Sequence, residues 1–242
     1  MLRSVNHLRG FRLGALDGEI GHAREIYFDD HTWRVRYLVA DVGHWLPGRK
    51  VLIPPHALGT IDEREKIFHV QLTMQQVEKS PPIDSDKPLS RQLEEEYLRY
   101  FGWPFYWMDP IFWSVPTGGG VGLFPPADSS SPPKQTDQHL RSSREVKGYH
   151  LHARDGDIGH VDDFLVDDAD WKIRDLIVGT RNWLPGKKVL IPTEWIQKVS
   201  WEESKVLVDV PRDLLRELPP YYESGKEAEI LETIGRMPPF PP

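Results

Sequence analysis

The side chains best able to do chemistry in this chain are histidines, paired aspartates, paired cations and one run of aromatic rings. His150 and His152 stand one residue apart on an expected strand and so share a face. Together with His160 they could form a nitrogen-ligand metal site, or serve as ordinary surface or hydrogen-bonded imidazoles. His22 occupies the position equivalent to His160, but the equivalents of His150 and His152 are Arg12 and Gly14, so a duplicated metal site is excluded. Asp29-Asp30 and Asp167-Asp168 could act as acid–base pairs or bind calcium. Aspartate is also the residue a turn selects, because its carboxylate bonds to nearby backbone N–H groups, and no calcium-loop spacing surrounds either pair. Arg34 and Arg36, with Lys172 and Arg174, put two cations on one strand face in each half. Those four are candidate contacts to an acidic partner, or a solvated face balanced by the neighbouring aspartates. The segment Phe101–Trp113 is aromatic at seven of thirteen positions. Trp103, Tyr106, Trp107 and Trp113 are its candidate interaction residues, and the competing reading is packing over the fold.

The elements that must position these groups are written twice. Asp17–Pro54 aligns with Asp155–Pro192 at a constant offset of 138, without a gap, and 19 of the 38 pairs are identical. The offset continues to Val70/Val208 and to Pro81-Pro82/Pro219-Pro220. A unit of this length lies near the lower limit for an independent apolar core, so pairing of the two copies or help from flanking segments is expected. Within each copy the pattern is of short strands. Gly10–Leu16 leads to Asp17-Gly18, read as a two-residue hairpin turn. Glu19–Phe28 and Trp33–Val42 follow, the latter with Trp33, Val35, Tyr37 and Val39 on one face and an end that is apolar on both. Leu46-Pro47-Gly48-Arg49 suits a type II turn, Lys50–Pro54 is a strand, and Ala57–Asp62 and Ile67–Thr73 form a hairpin. The fold class is therefore all-β with short helices: two small closed or sandwiched barrels in tandem, related by a pseudo-twofold axis.

The expected organisation is residues 1–82 as the first unit and 83–114 as a helix, N-capped by Ser90, leading into the aromatic segment. Residues 115–143 form a Gly/Pro/Ser tether, 144–220 the second unit, and 221–242 a short helix near Lys226–Ile234 with a proline-rich tail. Cysteine is absent, which removes disulfides, thiolate metal sites and thiol nucleophiles. The first residues lack the apolar run of a signal peptide, so a cytoplasmic location is expected. A net charge of −7 argues against nucleic acid as a partner. No phosphate-loop, dinucleotide, nucleophile-elbow or HExxH pattern occurs, and Gly118-Gly119-Gly120 lies in the tether.

Asp17-Gly18-x-Ile20-Gly21, the Asp29-Asp30 turn, the strand Trp33–Val42 and Val51-Leu52-Ile53-Pro54, each echoed in the second copy, resemble the PRC-barrel family. That β-barrel module is named for the cytoplasmic part of the photosynthetic reaction-centre H subunit. Ser80-Pro81-Pro82, the Ser90–Tyr100 helix and Gly102-Trp103-Pro104 are similar to the extension of free-standing bacterial members. The resemblance implies a non-catalytic docking or scaffolding module without a cofactor or resident metal. The partner it implies is a protein, alone or within a membrane-bound complex, or a second copy of the chain. The alternatives are a small-ligand or metal-binding barrel, or a hydrolase using the paired acids.

Overall fold

The computed structural model describes residues 1–43, 46–81, 83, 91–103, 139–180, 187–222 and 233–235, with no side-chain description for 91 and 92. Ser90, residues 104–138 and most of the tail segment lie outside these.

The first half contains β1 (Leu2–Ser4), α1 (Val5–Leu8), β2 (Arg12–Gly14), β3 (Glu19–Asp29), β4 (Val35–Asp41), β5 (Lys50–Ile53), β6 (Leu58–Asp62), β7 (Ile67–Val70), α2 (Met74–Lys79) and α3 (Arg91–Phe101). The second half repeats the order: β8 (Leu140–Ser142), α4 (Ser143–Val146), β9 (His150–Ala153), β10 (Gly156–Asp167), β11 (Lys172–Gly179), β12 (Lys188–Pro192), β13 (Ile196–Ser200), β14 (Lys205–Val208) and α5 (Arg212–Glu217). Two seven-stranded sheets result. The hydrogen-bonded paths are β5-β4-β3-β2-β7-β6 and β12-β11-β10-β9-β14-β13. All described neighbours are antiparallel except β2 with β7 and β9 with β14.

Of the closed and sandwiched alternatives, closure by a continuous ladder does not occur among the described residues. The end strands β5 and β6 are joined through the short turn Pro55–Ala57 rather than by pairing, and β12 and β13 through Thr193–Trp195. The remaining strand of each sheet comes from the other half. β3 is eleven residues long, whereas its neighbour β2 pairs only with Glu19, Gly21 and His22. Backbone groups at Tyr27–Asp29 would be left as a bare edge. β8 fills it, with Tyr27↔Ser142, Phe28↔Arg141 and Asp29↔Leu140. β1 does the same for β10, with Leu2↔Asp167, Arg3↔Val166 and Ser4↔Leu165. Leu140–Ser142, which the sequence reading gave to the end of the tether, is thus a sheet strand.

The exchange is backed by packing. One hydrophobic cluster runs through both halves, from Leu13, Val39 and Phe68 to Leu151, Val178 and Val206. Phe28 meets Phe164 across the halves at 5.4 Å, and Trp171 stacks on Phe68 at 5.7 Å. Leu38, Val39 and Ala40 are all buried, as a strand covered on both faces requires. In the first half, α3 supplies the outer cover. Tyr37 donates to Glu94 at 2.9 Å, and the Leu52 N–H donates to the Tyr97 hydroxyl at 3.0 Å.

Local rules explain most turns. Gly48 has φ +73° and the Arg49 N–H donates to Leu46 O at 3.1 Å, the expected type II turn. Two expectations fail. Asp17-Gly18 does not form the two-residue loop: Ala15 N–H donates to Gly18 O, so Leu16 and Asp17 occupy the corner, neither with positive φ. Asp17 instead accepts the Met74 N–H at 2.7 Å at the start of α2, as Asp155 accepts that of Arg212 at 2.8 Å at the start of α5. β4 begins at Val35, not Trp33, because Trp33 is left-handed at φ 59°, as is Trp171 at φ 54°. Their carbonyls turn toward the opposite half, accepting from Ile173 and Val35 respectively, both at 2.8 Å.

Candidate interaction surface on the pseudo-twofold axis

The duplicated polar residues converge where the halves meet, and most hold that junction together. Asp29 closes its own turn, accepting N–H bonds from His31 at 3.0 Å and Thr32 at 2.8 Å, and it accepts from Arg36 at 2.8 Å. Burial pushes its carboxyl up, but these three donors outweigh that and hold it below the usual aspartate value. Asp167 repeats the arrangement with Ala169 at 3.1 Å and Arg174 at 3.0 Å. The second aspartate of each pair reaches the other half. Asp30 accepts from Arg141 at 2.6 Å and contacts His139 at 3.0 Å. Asp168 accepts from Arg3 at 2.6 Å and from the Met1 amino group at 2.8 Å. Burial raises the Asp168 carboxyl, and the two cations more than reverse it. The turn reading therefore accounts for Asp29 and Asp167. The roles of Asp30 and Asp168 depend on a partner segment more than a hundred residues away, which no local pattern shows.

A second pair of contacts lies deeper. Ser4, the N-cap of α1, donates to the buried Asp163, which also accepts from the Asn6 N–H at 3.1 Å. Ser142, the N-cap of α4, donates to the buried Glu25. Asp163 is only 2 % exposed, and this burial pushes its carboxyl up to about 6. Sequence reasoning missed both pairs. The available signal was the repeated Leu-Arg-Ser of residues 2–4 and 140–142, just outside the block of high identity.

The four candidate cations are brought to the axis but are not equivalent. Arg34 and Lys172 form a cross-half bridge directly opposite one another, and Arg34 is exposed. Among the described residues its guanidinium reaches only the Asp170 carbonyl, at 3.5 Å. Arg36 is half-buried on Asp29, and Arg174 is shared between Asp167 and Asp170. Only Arg34 and Lys172 thus remain as a charged face.

Of the aromatic candidates, Trp103 is half-buried. It stacks on Phe101 at 4.1 Å and 8°, with its ring edge-on to His56 at 5.2 Å. Its backbone N–H donates to Leu98 O, so this end of the segment packs onto the first half. Tyr106, Trp107 and Trp113 lie outside the described residues.

His150 and His160 are direct cross-strand partners, and His152 contacts Asp157 at 2.6 Å. Among the described residues, no group of three His, Asp or Glu side chains is arranged to hold a metal. No helix among them is long and apolar enough to cross a membrane.

On the axis, along β3 and β10 from the aspartate turns, is a recess of about 350 Å³ including its mouth. It is lined by α1, α4, β3 and β10, with Glu25 and Asp163 among its residues and Arg9, Arg24, Arg144 and Lys147 as its cations.

The model of the PRC-barrel domain family matches residues 141–215, which span the second unit from β8 into α5. No curated protein matches the chain. The same order of elements in residues 2–79, at the 138-residue offset, makes the first half a structural copy of the matched region.

Proposed function

From a chain that carries a PRC-barrel domain at residues 141–215 and repeats its strand order in the preceding half, we propose a non-catalytic adaptor that holds a protein partner. The observation that supports this most is the reciprocal loan of β1 and β8, which makes one block of two units and carries the exposed Arg34 and the half-buried Lys172 to directly opposed positions. Directly opposed like charges cost energy unless screened or matched by an anion. Keeping two there favours a partner surface rich in Asp and Glu. Because the repeated carboxylates Asp29, Asp30, Asp167 and Asp168 are all engaged by cations or turn N–H groups, acid–base catalysis by them is the weaker reading. A cytoplasmic site of action, alone or at a membrane-bound complex, fits this proposal.

The test is affinity capture of the full chain from its source cells, with quantitative mass spectrometry. The proposal expects a stoichiometric partner whose recovery falls at least tenfold with Arg34→Glu plus Lys172→Glu, while Arg64→Glu leaves it unchanged. Equal recovery with the double variant contradicts the proposal.

A further inference from the structure

We propose that the axial recess between α1 and α4 is a binding site for a small, doubly charged oxyanion of the phosphate class. The cations lining it come from both halves: Arg9 and Arg24 from the first, Arg144 and Lys147 from the second. Arg24 is engaged, by Asp41 at 2.9 Å and Glu25 at 3.9 Å. Arg9 and Arg144 make no ion pair among the described residues, while the Lys147 ammonium donates to the neutral Asn6 side chain at 3.1 Å and its charge acts on Asp162 and Asp163. The two carboxylates in the lining are turned toward the N-cap hydroxyls, Asp163 to Ser4 and Glu25 to Ser142. Their charge is thereby partly spent on donors within the fold, whereas Arg9 and Arg144 remain available.

A second, independent observation points to a missing acceptor. The Nε–H of Arg24, on the recess wall, is buried and makes no hydrogen bond, since the Glu25 carboxylate facing it stands too far away, at 3.9 Å. A buried donor without an acceptor carries a desolvation penalty of about 1–3 kcal/mol. An oxyanion seated in the recess would offer that acceptor, and planar guanidinium groups bind tetrahedral oxyanions through paired N–H bonds. The enclosed part of the recess has room for only a few water-sized groups, which suits a small anion rather than a nucleotide or a polymer. The recess exists only because β1 and β8 are exchanged, since α1 and α4 directly follow those strands. An anion bridging Arg9 and Arg144 would therefore also tie the two halves together. The site is independent of the Arg34/Lys172 face, so either can fail without the other.

The experiment is isothermal titration of the full chain with inorganic phosphate at constant ionic strength, beside thermal melts in phosphate and in chloride. Saturable one-to-one binding is expected, with a melting temperature raised in phosphate. Arg9→Ala plus Arg144→Ala, both exposed and so removable without unfolding, should weaken binding at least tenfold. Arg64→Ala should not. Flotation with vesicles bearing a phosphate-monoester headgroup separates the sources. Flotation that needs Arg9 and Arg144 assigns a lipid, and its absence alongside phosphate binding assigns the free anion. No saturable heat up to about 20 mM phosphate, or equal binding by the double variant, overturns the proposal.

Discussion

Arg3 donates to Asp168 at 2.6 Å across 165 positions of sequence, and Arg141 makes the same bond to Asp30 at 2.6 Å. Each arginine sits on the strand that its half lends to the other. Arg3 is 10 % exposed, so the pair is shielded more than an ordinary surface ion pair. Replacing Arg3 by Ala should destabilise the chain by about 1.5–3 kcal/mol, the range for a charge-assisted bond. A double-mutant cycle with Asp168→Ala should return a coupling energy of at least about 1 kcal/mol in thermal or urea unfolding. Additive effects would mean that the contact holds nothing.

The lent strand predicts how an isolated half behaves. Residues 139–222 alone lack β1, so β10 would keep a bare edge at Leu165–Asp167 while β8 projects without a partner. Two such halves can satisfy each other by a closed twofold exchange. Light scattering should therefore find a dimer. A stable monomer with native-like spectra would contradict the exchange as the source of stability.

Two buried acids set a pH dependence. Burial pushes Asp163 and Asp175 up to about 6, Asp175 with a further push from nearby Glu194. In the unfolded chain both titrate near 3.9. A folded-state value above the unfolded one means the proton is held more tightly by the fold. The stabilising contribution is complete below about pH 4 and is lost as pH rises through about 6. At pH 7 the loss is on the order of 3 kcal/mol for each group. Unfolding free energy should therefore rise as pH falls from 7.5 to 5, and Asp163→Asn should remove about half of the slope. Below about pH 4 the trend reverses, because Asp29, Asp41 and Asp167 are held below their usual values and lose that contribution on protonation. A flat profile between pH 5 and 7.5 would refute the assignment.

Close approach fixes one glycine in each half. A Cβ on Gly21 would stand 2.0 Å from the Asp41 carbonyl oxygen, and one on Gly159 2.3 Å from that of Gly179. Gly21→Ala should cost several kcal/mol, at the extreme of point substitutions. Gly48→Ala, at φ +73° with nothing near, should cost only about 1 kcal/mol from backbone strain. Comparable losses for both in urea unfolding would show that the β3–β4 crossing is looser than described.

What could be read beforehand was what is local. Pro47-Gly48 announces its turn, Asp29 its side-chain turn, and the apolar Leu38-Val39-Ala40 its doubly covered strand, because each is settled within a few residues. The repeat disclosed the pairing of two like units, with no means of showing which strands cross between them. The left-handed Trp33 has no local sequence signal, since it is held both by its own turn, through the N–H donated to Asp29 O, and by the opposite half, through Ile173. The local pattern at Asp17 is that of a hairpin, whereas its carboxylate serves a helix start 57 positions later. The uneven worth of the four candidate cations was hidden for the same reason: Arg36 and Arg174 are spent on aspartates that the turns bring back to them.

Amide hydrogen exchange at Leu2–Ser4 and Leu140–Ser142, followed by mass spectrometry on the intact chain, tests the exchange of strands most directly. The account predicts protection comparable to that of β3 and β10, against which these segments are hydrogen-bonded. Complete exchange at the earliest time point, with β3 and β10 still protected, would show that the two halves do not hold each other and would contradict it.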